Sequence, residues 1–589
     1  MAGADQCCVA DGGGALETAD LTGTSRRRTF PYKCYLIREA FLPVVLRPGM
    51  KVGNVSAEDD MIYLENCFVS TANANAAKSM DDPRCIILGR TGSGKSALIW
   101  EIENSQQNVI KIDPEALSLN FISNSDIIPF FENLNIKLDV FYQLLWRHVL
   151  VVEVIKAKKQ FYDEKTSKSW IDGLLERFKS NPKKKQALEY LFEFGDSFWS
   201  DTETRVREVV QGIEKKLQDE SGIDVKAYLA SIKGKSAAET AERISVTTEV
   251  IHKAQKVVDQ VQIQRLNDVI ELLATDIFAD DQQRYYIVID DLDKDWSHDQ
   301  IRFKLIRALI ETIKKFRRLR NVKIIISLRA DLLQTVLKYT ASSGFQIEKY
   351  EDLFLRLRWS RDDLLSLLTK RLNFSFKDQY TGKEIEIYDV FSRKVGDDDA
   401  LSYILERTLD RPRDLIAFVN QCLEQAPGQT QITSRVIRDA ETTYSSKRLT
   451  YLADEWREVY GALEPAIGFL KNLDARFMVT DLNNSIIDDF CIGLLSYGED
   501  TETLAFSREC NALAGGHATS SWVRDGFLQT MYVIGAIGVK IAKNSRFEWS
   551  YKNEPTLDIN RVDHESKFAI HPMLFKALNV YADPKRIES

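Results

Sequence analysis

Gly89-Arg90-Thr91-Gly92-Ser93-Gly94-Lys95-Ser96 is the stretch that decides the fold: it spells G-x-x-x-x-G-K-[ST]. It follows the short apolar run Cys85-Ile86-Ile87-Leu88 and opens an amphipathic segment over residues 97–103. The order is strand, loop, helix. Glycines let backbone N–H groups turn inward around an anion, and the start of the following helix adds partial positive charge. In such a loop Lys95 neutralises the β- and γ-phosphates of a nucleotide and the Ser96 hydroxyl ligates Mg²⁺. The phosphate-binding set is thus Gly89, Arg90, Thr91, Gly92, Ser93, Gly94, Lys95, Ser96 and Ala97. The competing reading is a fortuitous Gly-rich turn, against which the flanking strand and helix patterns count.

A phosphate loop alone does not separate hydrolysis from binding. A second apolar run, Tyr285-Tyr286-Ile287-Val288-Ile289, ends in Asp290-Asp291-Leu292-Asp293. A near-continuous apolar run fits a strand buried on both faces of a parallel sheet, with acids emerging at its C-terminal end, where α/β sheets place their ligands. Asp290 is then the Mg²⁺-side carboxylate, and Asp291 the candidate for orienting an attacking water, because phosphoryl transfer depends mainly on positioning and charge stabilisation. Residues 299–320 carry Leu305, Ile306, Leu309, Ile310, Ile313 and Phe316 at helical spacing. A strand at residues 322–329 follows, from which Ser327 and Arg329 leave on one side; Arg329 is either a γ-phosphate sensor or a solvated arginine.

The order of these motifs, with Arg411-Pro412-Arg413-Asp414 in a later helical region, resembles the AAA+-like ATPases, on the branch shared by origin-recognition proteins and the signal-transducing STAND ATPases. Ala57-Glu58-Asp59-Asp60 ahead of the loop, Gly89-Arg90-Thr91-Gly92 within it, Asp290-Asp291-Leu292-Asp293 and Arg411-Pro412-Arg413-Asp414 look more closely like a bacterial KAP-like P-loop ATPase family often suspected of anti-phage defence. The resemblance covers residues 50–430. It implies that Arg329 is the sensor on the fourth core strand, that Arg413 reaches the phosphates from a lid, and that Pro412 lies near the adenine. Arg356 and Arg358, in Leu353-Phe354-Leu355-Arg356-Leu357-Arg358-Trp359, alternate onto one strand face. They are candidates for arginine fingers acting from a neighbouring subunit, or else ordinary exposed arginines.

Composition sets the limits. The chain has 589 residues, 44% hydrophobic and 28% charged, so it can bury several cores. No apolar stretch approaches the ~20 residues needed to span a bilayer, and the first residues lack a signal-like apolar region; a cytoplasmic protein with no membrane partner is expected. Eight scattered cysteines show no metal-ligand spacing, so reduced thiols and no zinc are expected. A net charge of −8 speaks against a surface built to coat nucleic acid. Local runs remain at Lys156, Lys158 and Lys159 and at Lys183, Lys184 and Lys185, readable as solvated faces or as nucleic-acid contacts.

The expected architecture is an α/β P-loop NTPase parallel sheet of AAA+ type with a large helical insertion, a helical lid and a C-terminal winged-helix-like domain. Residues 1–28 read as a flexible tail, 29–117 and 281–360 as the P-loop ATPase core, and 118–280 as the helical insertion. Residues 361–445 read as the lid, including one helix over 400–425, and 446–589 as the terminal domain with a hairpin of 538–541 and 546–551. Three functions follow. The favoured one is an ATP- and Mg²⁺-dependent switch of conformation or assembly, homo-oligomeric and acting in bacterial defence with a separate effector protein. The others are an ATP-dependent DNA-binding initiator or loader, and a scaffold that binds ATP without turning it over.

Overall fold

A computed structural model describes residues 44–114, 139–159, 164–193, 263–278, 282–294, 299–340, 345–377, 384–497, 503–553 and 556–580, with a few single positions between them. The expected tail at 1–28 and much of the interval 118–280 lie outside the described residues.

Five parallel strands form the central sheet: β1 (Ile86–Gly89), β2 (Val109–Ile112), β3 (Tyr285–Ile289), β4 (Val322–Arg329) and β5 (Phe354–Arg356). Their order across the sheet is β2-β3-β4-β1-β5. The strand that follows β3 in sequence is inserted between β3 and β1, with Ile86 opposite Ile326 and Ile289 opposite Ile326 from the other side. This α/β arrangement is P-loop-like. All five residues of β3 are buried, as are the first seven of β4, and each such aliphatic side chain removed from water contributes about 1.5–3 kcal/mol. That explains why β3 reads as an unbroken apolar run with no polar alternation; in β4 the run is broken by buried Lys323, whose Nζ donates to the Ala76 and Ser79 carbonyls, and by Ser327.

One face of the sheet is covered by the helices Asp299–Phe316 and Asp139–Lys159, joined where Trp146 Nε1 donates to the Leu305 carbonyl at 2.9 Å. The helices Pro182–Glu193 and Ile263–Leu272 extend the same core: Leu150, Leu188, Leu266, Leu309 and Ile324 belong to one buried cluster. The described helices of the expected insertion are therefore continuous with the sheet's own core.

Two further units sit beside the sheet. The helical unit that follows β5 contains Arg361–Ser375, Ala400–Leu405, Pro412–Glu424 and Ser434–Glu455. Its core takes in Val44, Leu46 and Val52, so the start of the lead-in packs against this helical unit, while Ala74, Ala76 and Ala77 further along pack against the sheet. The expected single helix over 400–425 is two, separated by a turn in which Asp410 has φ 47° and closed by Pro412 at the first helical position, where its missing N–H costs nothing.

The last unit carries helices Asn484–Leu495, Ser507–Ala514 and Ser520–Ile534 and an antiparallel sheet of Arg476–Met478, Lys567–Ile570 and Ile537–Lys540, with Lys567–Ile570 in the middle. Here the expected hairpin is corrected. Residues 537–540 pair with Lys567–Ile570, and 546–551 reaches them only through the single bridge Val539–Glu548. The partner lay about thirty residues further along, beyond the reach of any local turn signal. No described helix is long and apolar enough to cross a membrane.

Candidate nucleotide site

The loop at the end of β1 turns on two glycines. Gly92 and Gly94 have φ of 77° and 92°, a left-handed conformation that costs an L side chain roughly 1–2 kcal/mol. At Gly92 there is a second reason: an added Cβ would lie 2.5 Å from the Cβ of Arg413. Lys95 opens the following helix, Lys95–Ser105, and its Nζ folds back to donate to the carbonyls of Gly89 at 3.1 Å and Arg90 at 3.2 Å. Burial lowers the Lys95 ammonium to about 8, with Asp293, Asp331 and Asp290 pulling the other way. The Thr91 and Ser93 hydroxyl oxygens are buried without a hydrogen-bond partner.

Asp290 stands at the end of β3, buried, with the Ser327 hydroxyl of β4 hydrogen-bonded to it. Burial raises its carboxyl above the ordinary range, opposed by that hydroxyl and by the Asp291 amide. Among the described residues no ion pair is recorded for Asp290. A carboxylate out of water without a cation is costly, so its placement fits a site completed by a cation. Asp291 adopts φ 59°, an unfavourable conformation for a non-glycine residue of the kind that gathers at functional sites, and its carboxylate meets Lys294 at 3.0 Å.

Thr91, Lys95, Ser96, Asp290, Asp291 and Arg413 line one cleft of about 300 Å³. Arg413 comes from the helix Pro412–Glu424 of the helical unit; its own amide donates to the Gly92 carbonyl at 3.4 Å and its Nε to the Val55 carbonyl at 3.3 Å. Pro412 borders this cleft and an adjoining apolar recess with Leu64, Leu98 and Trp359. The donors suit a triphosphate with Mg²⁺. Lys95 and the inward-turned loop would hold the phosphates, Ser96 and Asp290 the metal, and the orphaned Thr91 hydroxyl is a polar group of the cleft that a bound anion would leave less isolated. Bound Mg²⁺ would supply charge neutralisation at the outer phosphates.

Not every candidate faces this cleft. Arg329 borders it, yet it is held by two carboxylates, Asp331 at 2.5 Å and Asp293 at 3.0 Å, while its Nη2 also donates to the Glu455 carbonyl at 3.2 Å. Arg90, inside the loop motif, points away: its Nε meets Glu455 at 3.1 Å, its Nη2 donates to the Ile534 carbonyl at 2.6 Å, and its guanidinium lies 5.4 Å from the Trp456 ring centre. Arg356 and Arg358 emerge at the sheet edge beside a different cleft, where Arg356 pairs with Glu351 at 2.8 Å and Arg358 donates to the Asn553 carbonyl at 3.1 Å. Each of these two arginines thus has a partner within the same chain.

Sequence reasoning missed Glu455. It is buried between Arg90 and Arg411, with the latter at 3.0 Å, and Arg411 also donates to the Thr91 carbonyl of the loop and pairs with buried Asp414 at 2.9 Å. Burial alone would raise Glu455; Arg411, Arg90 and Arg448 override it and hold its carboxyl well below the usual range. Nothing local marks Glu455, but Arg411 stood in the quoted Arg-Pro-Arg-Asp motif and a buried arginine there required a carboxylate somewhere. Asp60 likewise proves to be a clamp, meeting Arg371 of the helix Arg361–Ser375 at 2.6 Å with both side chains buried. Trp359, whose Nε1 donates to the Ser93 carbonyl at 2.8 Å, fixes the loop from the β5 side.

Comparison with known proteins adds three likenesses. A family model described as the FunZ-associated C-terminal helical domain matches residues 362–453, the stretch from helix Arg361–Ser375 into helix Ser434–Glu455. A protein of Escherichia coli (strain K12) named as a transposon gamma-delta 80.3 kDa protein is 22% identical over 543 residues, spanning 90% of this chain and 67% of the relative. A solved structure, the Walker-type ATPase PABY2304 of Pyrococcus abyssi, aligns over 89% of this chain and 97% of its own at 12% identity and a TM-score of 0.32, a likeness too loose to build on.

Proposed function

We propose that this chain is a Mg²⁺-dependent ATPase that works as a switch of conformation or assembly. One observation carries the reading: Lys95 and Ser96 from the β1 loop, buried Asp290 from β3 and Arg413 from the helical unit meet in one cleft. The switch follows from the segment just beyond. Glu455 takes the loop's Arg90, its carbonyl takes Arg329 of β4, and Glu458 faces Arg302 at 3.7 Å, whose Nη1 holds the Asp293 and Lys294 carbonyls. One short stretch at the entry of the winged-helix-like unit thus touches the phosphate loop, the sensor strand and the acidic loop. A ligand that binds two arrangements of these contacts unequally shifts their populations.

Asp291→Asn is the test. Asp290 still faces the metal side, so nucleotide affinity is expected to stay while turnover falls about 10²–10⁴-fold; comparing kcat with a direct Kd separates the two. Turnover at the wild-type rate moves the water-orienting role to Asp293. Absence of turnover in the wild type leaves the ATP-binding scaffold.

A bacterial anti-phage role with a separate effector rests on the motif resemblance. The transposon name of the Escherichia coli relative favours a second reading, an ATP-dependent DNA-binding initiator or loader that uses the terminal unit. DNA binding with a steep salt slope supports the loader, and ATP-dependent co-elution with a protein partner supports the switch. For a homo-oligomer with shared sites, mixing Lys95→Ala chains with chains in which Arg356 and Arg358 are both Ala is expected to restore hydrolysis that neither shows alone, since a finger in trans is worth roughly 10³–10⁵ in rate. Full activity of the double arginine variant by itself sinks the shared site.

A further inference from the structure

The phosphate loop is a wall between two clefts. Thr91, Gly92 and Lys95 face the front one; Gly89 and Arg90 line another of about 280 Å³ behind it, closed on the far side by the terminal unit through Ser550, Tyr551 and Lys552. The nucleotide contacts drawn in the front cleft do not use this rear cleft. Its lining has five cationic side chains and a single carboxylate, Asp410, together with the rings of Trp359, Trp456 and Tyr551.

The cations are unevenly matched. Lys552 meets Asp410 at 2.9 Å and Arg356 meets Glu351 at 2.8 Å. Arg358 has a neutral partner, the Asn553 carbonyl, and among the described residues no carboxylate pairs with it. Deeper in, Arg90 spends Nε and Nη2 on Glu455 and Ile534, while its Nη1 is buried without a partner beside Gly535, where an added Cβ would come within 2.9 Å of it. An unsatisfied buried donor is expensive to maintain unless something accepts from it. Rings flanked by guanidinium groups suit a planar aromatic ligand carrying negative charge, stacked on the former and held by the latter. The volume lies at the lower edge of small-molecule pockets, about 300–1,000 Å³, which limits that ligand to roughly mononucleotide size.

We propose that the rear cleft binds a nucleoside monophosphate, distinct from the nucleotide in the front cleft, with the base among Trp359, Trp456 and Tyr551 and the phosphate toward Arg358 and Lys552. Because Arg90 belongs to the phosphate loop and is tied to Glu455, occupancy behind the loop bears directly on the loop's conformation. The site requires no turnover in front.

The test uses the full chain carrying Lys95→Ala, so that the front cleft lacks its main cation, with AMP, GMP, CMP and UMP as probes in titration calorimetry. At least one is expected to bind with one site per chain and to quench tryptophan fluorescence, and the same site is expected in wild-type chain saturated with ADP. Adding Lys552→Ala, at a half-exposed position that lines only the rear cleft, is expected to weaken binding at least about tenfold through the lost charge-assisted contact, and the unphosphorylated nucleoside to bind as weakly. No binding at millimolar concentration, or an affinity indifferent to Lys552→Ala in a chain with an unchanged melting profile, overturns the proposal. Either result leaves the ATPase reading standing, since turnover is read separately in the wild type.

Discussion

Lys95→Ala is expected to reduce ATP affinity between roughly 30-fold and several thousand-fold, the range observed when one member of a buried, hydrogen-bonded charge pair is truncated. The size follows from placement. Lys95 is half-buried at the first position of its helix and is the loop's own cation in the cleft. Equilibrium binding of ATP with and without Mg²⁺ measures it, and a melting profile close to wild type shows that the fold survives. Unchanged affinity in a folded variant would remove the basis of the nucleotide reading. Arg413 and Ser96 remain in the variant, so residual binding at high ATP is compatible with it.

Glu455→Ala is expected to be the most damaging substitution outside the loop, costing about 3–5 kcal/mol, because removing one member of a buried ion cluster leaves the others uncompensated. Arg90 and Arg411 would both lose their shared carboxylate, and Arg90 would keep only the Ile534 carbonyl. Chemical denaturation reads the loss, and Glu455→Gln, which keeps the shape and one acceptor, is expected to lose less. The pH dependence has a definite sign. The folded carboxyl is held below its unfolded value, so its contribution is fully present above the unfolded pKa of about 4.3 and disappears only as pH falls through the lower folded value. Wild type and Glu455→Ala should therefore differ fully at neutral pH and converge in strong acid. A variant with the wild-type midpoint at pH 7 would mean that the cluster contributes specificity and no stability.

The sequence made visible what is local. The phosphate loop, β3 with Asp290 and β4 with Ser327 are each set by a run of apolar residues and the residue that ends it, and the observed strand bounds differ from the reading by at most a residue. Contacts between distant segments were not legible. The insertion of β4 between β1 and β3 is a choice among pairings that all bury the same apolar faces. Arg90 finds its carboxylate 365 positions away and Arg329 one of its two 36 positions away, whereas Asp331 beside Arg329 and Glu351 beside Arg356 lie 2 and 5 positions off, within reach of a pattern. The Arg-Pro-Arg-Asp motif shows the difference most clearly. Pro412 as a helix start is a local matter, whereas the division of labour between Arg411, which holds the chain together, and Arg413, which faces the cleft, depends on which way a helix is docked.

The position of Glu455 has a consequence for heredity. Codons 90 and 455, 365 positions apart, and codon 411 between them specify the centre of one buried ion cluster, which Asp414 and Arg448 complete. The helical unit that ends in Glu455 is therefore not a cassette. A recombination that brought in a foreign terminal segment lacking an acid at that place would strand Arg90 inside the nucleotide loop itself, so exchange is tolerated only when Arg90, Arg411 and Glu455 travel or change together. Variation some 365 positions away along the chain is policed by a residue of the phosphate loop.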